Sequence, residues 1–378
     1  MSGSEYGDDS LQEESLGNPD VVTKYKAAAK IVNATLKAII DGCKPGAKVV
    51  DLCENGDRLL NEGVAKEFKG KDIEKGIAVP TCLSLNNCAG HFSPLNDNPL
   101  ELKEGDLVKI DLGCHIDGYI AQAAHSLVVA SDPSAPVTGR AADAILCAQT
   151  CFDAAARLMR PGKKASEVAG PLNKIAEAYG CSLVDGVMSY QMNRFVIDGE
   201  KAVLQKPLPD TKMDEFEFEE GEVYAIDIII STGEGKIKMH DEKETTVYKR
   251  AMAVTYQLKM KASRELLSEV GKKYPTMLFS LRGIEAKQAR FGLVECINHG
   301  LLDAYAVSYE KEGEVIAHIK GTVLLMPSGS DRITSAPLQQ LQSDKSVEDE
   351  AVKALLSTSL KNKKKKKKAA KEGTPMEA

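Results

Sequence analysis

Residues 108–129 read VKIDLGCHIDGYIAQAAHSLVV, two runs of β-forming residues joined by an Ile-Asp-Gly turn. Apolar run, turn and apolar run together predict a β-hairpin. Asp111 stands inside the first run, and Gln122 follows eleven residues later inside the second. An ionised carboxylate in a buried strand is costly unless a donor or a cation answers it. The hairpin therefore raises the question of what faces Asp111.

Upstream, NPDVVTKYKAAAKIVNATLKAIIDGCKPG places Val22, Tyr25, Ala29, Val32, Leu36 and Ile39 at helical spacing. Asn18 is a natural N-cap, Pro19 suits the first turn and Gly42 is a stop signal. A second helix is predicted in AKVVDLCENGDRLLNEGVAKEF, weakened by Gly56, with short β-type runs leading into the hairpin. Downstream of the hairpin the same order returns: GRAADAILCAQTCFDAAARLMRPGKKASEVAGPLNKIAEAYG is again helix, Pro-Gly junction and helix. Pro45 and Pro161 are 116 residues apart, and so are Asp111 in EGDLVKID and Asp227 in EGEVYAID. One offset shared by a turn and a strand carboxylate predicts an internal two-fold repeat. The fold class expected is therefore α/β (α+β): two pseudo-symmetric α/β halves whose strands join in one sheet backed by helices, with Asp111 and Asp227 approaching across the seam. The first half covers about 18–135 and the second about 138–335. Residues of about 258–308 break the repeat as a helical insert, followed by closing strands in YEKEGEVIAHIKGTVLLMP. Helices followed by a strand pair would make a winged-helix-like lobe, which packs on the body or binds nucleic acid.

With 43% hydrophobic and 28% charged residues, the 378-residue chain has the composition of a globular protein. The nine cysteines form no CxxC pair, so reduced intracellular thiols are expected; Cys147 and Cys151, four apart on a helix, read as buried residues rather than zinc ligands. No apolar run reaches the roughly 18 residues of a membrane span, so no membrane insertion is expected. The net charge of −6 is unevenly spread: residues 1–20 hold six acids and no Lys or Arg, while residues 361–378 hold eight Lys against two Glu. Residues 1–17 are expected to be an acidic disordered start. Residues 18–340 form the main domain, and 341–378 a C-terminal helix with a lysine-rich disordered tail. Within SVEDEAVKALLSTSL, Val352, Leu355 and Leu356 share one helical face, which favours packing on the body over docking through VKALL, one residue short of an LxxLL pattern.

KIDLGCHIDGYIAQ, CAGHFSP, VYAIDIIISTGEG and IKGTVLLMP resemble stretches of the type II methionine aminopeptidases, the pita-bread fold of peptidase family M24. VIDGEK, SYEKEGE and TVLLMPSG are closer still to the non-peptidase branch of that family. For the peptidases the resemblance implies two divalent ions held by two Asp, a His and two Glu, which together generate a hydroxide. Carried over position by position, the ligands fall on Asp111, Gln122, Tyr190, Asp227 and Lys320, leaving Asp111 alone unchanged. The four carboxylates of the peptidase set have become two Asp and a Lys. An ammonium about 4 Å from a divalent ion opposes its binding by roughly 8 kcal/mol at an effective dielectric near 20. The reading that follows has no catalytic residues, no metal and no cofactor, with Lys320 substituting for the cation and pairing with Asp111, Asp227 or both. His91 matches a histidine of the former substrate pocket. An outward Lys320, and a peptidase working with an altered or single metal, are the alternatives.

For partners, the same resemblance implies the large ribosomal subunit and structured RNA, a growth-factor receptor and transcriptional regulators. The implied roles are ribosome biogenesis, rRNA processing, translational control and cell growth, in cytoplasm and nucleus including the nucleolus, and a monomer is expected. The tail supports the nucleic-acid part independently. Lys363, Lys364, Lys365, Lys366, Lys367 and Lys368 are consecutive cations that neutralise phosphate without reading sequence, and no aromatic residue accompanies them to stack on bases.

Overall fold

The computed structural model describes residues 14–207, 211 and 213–362. In chain order the elements are α1 (Pro19–Gly42), α2 (Val49–Lys66), β1 (Lys75–Leu85), β2 (Cys88–Gly90), β3 (Leu107–Ile116), β4 (Tyr119–Val128), α3 (Gly139–Leu158) and α4 (Ala169–Ala178). There follow β5 (Ser182–Leu183), β6 (Met188–Gln191), β7 (Ala202–Leu204), β8 (Val223–Ser231), β9 (Lys238–Met239), β10 (Val247–Arg250), α5 (Lys261–Lys273) and β11 (Leu278–Ser280). The last are α6 (Ala289–Asn298), β12 (Leu302–Tyr305), β13 (Ser308–Tyr309), β14 (Ile316–Met326), β15 (Gly329–Arg332) and α7 (Glu350–Leu356).

α1 begins as its sequence directs, with the Asn18 side chain accepting from the Asp20 amide and Pro19 in the first turn. Its buried stripe runs through Tyr25, Ala29, Val32, Leu36 and Ile39, but starts at Val21 rather than the expected Val22. Gly56 in α2 has a packing reason: a side chain there would collide with the Thr81 hydroxyl on β1. Helix propensity yields to close approach of helix and strand.

One nine-stranded sheet carries the chain, in the order β1-β3-β4-β14-β8-β6-β7, with β15 on β14 and β5 on β8, every pairing antiparallel. Its centre is the β4/β14 junction, where the two halves meet. The repeat is visible in backbone contacts: Gly46 donates to Leu102 and Gly162 to Phe218, while Lys48 bridges Glu101 and Lys164 bridges Glu217. Each pair lies 116 residues from its counterpart.

The strands alternate strictly. On β3 the even positions Val108, Ile110, Leu112 and Cys114 pack under α1 and α2, and on β8 Tyr224, Ile226, Ile228 and Ile230 pack under α3 and α4. The other face therefore receives Asp111 from β3 and Asp227 from β8. At the junction only Lys320–Ala124 and Gly321–Ala123 pair directly. On either side hydroxyls complete the seam: the Thr322 hydroxyl lies between the amide and carbonyl of Gln122, and the Ser126 hydroxyl between those of His318.

The insert differs from its expected form. Its sheet is β11-β10-β12, so the central strand precedes residue 258 and the outer strands alternate with α5 and α6. The strand pair expected to close a winged-helix-like lobe goes elsewhere: β13 joins β2 and β9, and β14 enters the main sheet. Two strands cannot serve both sheets, and β14, buried along almost its whole length, belongs at the centre. Arg282, after β11, fastens the lobe to the body through Asp57 (2.6 Å), Ser93 (2.9 Å) and the Pro94 carbonyl (2.9 Å).

Both ends are held closer than their composition suggests. Glu14 pairs with Arg194, and Leu16 is buried, so an expected disordered start through residue 17 is overturned for Glu14–Gly17. Past residue 340 the chain keeps packing: Leu341 bridges Val137, Val352 of α7 joins the second-half core with Leu355 and Leu356 against it, and Lys361 bridges Gly329. Apolar burial anchors segments that charge alone marks as tails. The lysine run 363–368 lies outside the described residues.

Candidate functional site

Four adjacent strands place one row of residues side by side: Asp111 on β3 faces Ala124 on β4, Ala124 faces Lys320 on β14, and Lys320 faces Asp227 on β8. Directly opposed residues point to the same face, so the row reads Asp, Ala, Lys, Asp across the seam. Ala124 ends at its Cβ and leaves room for the lysine to lean over it. The Lys320 ammonium lies 2.8 Å from Asp111 Oδ2 and 3.1 Å from Asp227 Oδ2, and is almost completely buried. This is the internal pairing expected of Lys320, with both carboxylates at once.

His318, two residues earlier on the same face of β14, places Nε2 2.6 Å from the other oxygen of Asp227. Burial would push Asp227 up, but Lys320 and His318 together hold it well below the usual carboxylate range. Burial would likewise lower Lys320, but Asp111 and Asp227 outweigh it and keep the ammonium charged. Asp111 Oδ1 is buried and has no hydrogen-bond partner among the described residues.

Above the row is a cavity of about 390 Å³ whose lining includes His91, Asp111, Gln122, Tyr190, Asp227 and Lys320. The structure thus brings together every body residue singled out in the sequence. His91 has a left-handed backbone (φ 61°) and stacks edge-on against Tyr305 at 5.2 Å. Burial pushes its ring down to about 4, so it is neutral at physiological pH. Gln122 turns its amide to the Met192 sulfur at 3.1 Å, and Gly113 opposite it permits a close approach, since a side chain there would collide with the Gln122 Cβ and the Ala121 carbonyl. The Tyr190 hydroxyl on β6 donates to the Met188 sulfur at 3.8 Å. Sequence reading missed His318 and Tyr305. The period-two spacing of His318 from Lys320 signals a shared face, whereas Tyr305 arrives from the insert through long-range contact that leaves no local signal.

These features, a seam-centred antiparallel sheet with helices on one face and polar residues converging on the other, are those of the pita-bread class of α/β proteins. The chain belongs to metallopeptidase family M24, whose model matches residues 23–249, and has that family's pita-bread architecture. It is 53% identical to ErbB-3 binding protein 1 of Solanum tuberosum over 98% of this chain and 97% of that one. With the curved DNA-binding protein of Schizosaccharomyces pombe the identity is 42%, over 98% and 99%. A solved structure of a thermophilic Arx1 superposes with a TM-score of 0.86 at 30% identity, covering 91% of this chain and all of that one. The chain is thus a non-canonical member of a peptidase family.

A pair of divalent ions does not fit the residues present. The space between Asp111 and Asp227 is spanned by the Lys320 ammonium, and the second Asp227 oxygen is taken by His318. Among the described residues no group of three or more His, Cys, Asp and Glu is placed to hold a metal ion. Nor is any helix there long and apolar enough to cross a membrane.

Proposed function

We propose that this chain is a catalytically inactive aminopeptidase homologue that binds ribosomes and structured RNA, and so regulates ribosome biogenesis, translation and cell growth. The observation that carries the first half is the Lys320 bridge. A side chain supplies the positive charge that peptidases of this fold take from metal, and with it goes the means of generating a hydroxide. Gln122 and Tyr190 at two further ligand positions make the change a coordinated one.

The binding half rests on other support. Six consecutive lysines supply sequence-independent phosphate affinity. The name of the fission-yeast relative records DNA binding, and that of the potato relative binding to ErbB-3. The resemblance to the non-peptidase branch adds the large ribosomal subunit as docking partner, with residence in cytoplasm, nucleus and nucleolus.

Two measurements test the proposal. Metal analysis of purified chain beside a Met-peptide cleavage assay is expected to show substoichiometric metal and no turnover; stoichiometric cobalt, manganese or zinc with cleavage would sink the inactive reading in favour of an altered-metal peptidase. Co-sedimentation with purified large subunits is expected to retain the protein in the pellet, and its absence there at low salt would refute the docking role.

A further inference from the structure

Helix α6 carries apolar residues on both of its sides. The inner side is fixed: Leu293 and Cys296 are buried in the core of the insert, and a side chain at Gly292 would collide with the Ala262 carbonyl at the start of α5. That close approach sets the roll of the helix, so Phe291, Val294 and Ile297 are left outside, 70%, 58% and 37% exposed. More apolar surface lies beside them. The Glu295 carboxylate accepts from the Lys259 and Met260 amides (2.8 and 3.1 Å), which brings the exposed Met260 against the helix. The Tyr256 ring stacks on His299 at 3.6 Å and the Ala251 amide donates to the Leu301 carbonyl, which lays the loop of Met252 and Val254 along the C-terminal end of α6. Phe291, Val294, Ile297, Met260, Met252 and Val254 are six of the nine large apolar side chains exposed among the described residues. Scattered exposed hydrophobics need no explanation, whereas a cluster of them marks a docking surface.

Shape and charge narrow the occupant. Phe291, Val294 and Ile297 form an i, i+3, i+6 row, the ridge that one partner helix receives in its groove. The charges around the row are of one sign. Glu295, the acid of α6, is taken up by the two amides ahead of α5. Among the described residues, the cations from 259 to 290 that pair with acids are Lys261, Lys273 and Arg282. Lys259, Lys287 and Arg290 are exposed and pair with none. Lys259 sits over Glu295, and Arg290 and Lys287 lead into Phe291, so these three cations border the row. We infer that this face of the insert receives an acidic amphipathic helix of a partner protein, its apolar residues on the row and its carboxylates on Lys259, Lys287 and Arg290. Recognition of a helix by its apolar face has this form, and the bordering cations exclude a basic one by repulsion. RNA fits less well, because the row offers a single aromatic ring on which a base could stack. The inference is independent of the lysine run and of its reading as a phosphate-binding segment.

The probe is a fluorescein-labelled, lactam-bridged helical peptide of about 18 residues, with Leu at helical spacing and Glu elsewhere, titrated against the full chain. Saturable binding is expected, weakened about tenfold or more by Phe291→Ser combined with Val294→Ser. Lys259→Glu with Lys287→Glu and Arg290→Glu is expected to weaken it most at low salt. Both variants should keep the parent melting temperature, since every altered side chain is exposed. The same peptide with Lys in place of Glu is expected not to bind. No binding of the acidic peptide, equal binding of the two peptides, or binding untouched by the apolar variant overturns the inference. The apolar variant also decides between occupants. If it loses an RNA hairpin, phosphatidylserine vesicles or a dimer seen in sedimentation velocity, the face belongs to a nucleic acid, a membrane or a second copy and the inference falls. Loss of peptide binding with RNA affinity unchanged supports the protein partner.

Discussion

Lys320 carries one positive charge between two carboxylates in a place water barely reaches. Removing one partner of a buried ion pair leaves the other charge uncompensated, which costs far more than the pair itself contributes. Lys320→Met is therefore expected to destabilise the fold by about 3–5 kcal/mol, read as a lowered denaturation midpoint. Adding Asp111→Asn and Asp227→Asn should recover much of that loss, and an unchanged midpoint in the single variant would show that the bridge is dispensable. The histidines make a separate prediction. His115 and His125 are each 3% exposed, and burial lowers both to about 4 from the ordinary 6.5. The unfolded chain binds their protons below pH 6.5 while the folded chain does not until about 4, so stability falls as pH drops through that window. The slope reaches about 1.4 kcal/mol per pH unit for each histidine. Denaturant titrations at pH 7, 6 and 5 check this, with His125→Gln expected to flatten the slope whatever it does to stability at pH 7. At this scale the sequence was informative about Asp111 and Lys320, because a charge in an apolar strand has few explanations. For His318 it offered only the period-two spacing from Lys320, which marks a shared face and does not name the second Asp227 oxygen as its partner.

Among the elements, the hairpin and first helix follow from local rules, since alternation and capping act within a few residues. Gly56 did not follow, because its reason lies on another element. Alanine is worth about 1 kcal/mol more than glycine in a helix interior, so propensity alone favours Gly56→Ala. The overlap with Thr81 opposes it, and forcing an extra carbon into a packed contact costs about 1–3 kcal/mol. We expect Gly56→Ala to lower stability in the native background and to cost less beside Thr81→Ala, which removes the hydroxyl and methyl nearest the added carbon but keeps the residue-81 Cβ at 2.9 Å. The Thr81 hydroxyl is buried without a hydrogen-bond partner among the described residues, so its removal carries little penalty of its own. Additive effects in the double-variant cycle would rule out the contact as the reason for the glycine. The insert was misread for the same kind of reason. Its composition announces helices and strands, but β10, the strand that organises them, precedes the segment where the repeat breaks, and β14, adjacent in sequence, belongs to another sheet. Strand partnership across long separations is decided by which sheet needs a buried strand, and local pattern does not encode that choice.

For the molecule as a whole, the repeat was legible because duplication preserves spacing, and the 116-residue offset reappears in paired backbone contacts. Of what the halves build together, the repeat foretold the approach of Asp111 and Asp227, and only the resemblance placed Lys320 in the row Asp111, Ala124, Lys320, Asp227. Charge follows a different logic from fold. The chain carries −6 in total, and residues 361–378 carry eight lysines against two glutamates, so everything before them is acidic on balance. Such a body repels a polyanion at distance, and the lysine run is the attractive element. Removing residues 363–378 is therefore expected to weaken binding to an RNA hairpin most at low salt and least at high salt, so that the two binding curves converge as salt rises. Each lost phosphate contact should flatten the plot of log affinity against log salt by about 0.7–0.9, and engagement of most of the run implies a total change of about 3–5. Parallel plots with a constant offset would mean that the truncation acts through the fold. Coincident plots would place the RNA contact on the body, where the insert and its basic residues would become the first surface to mutate.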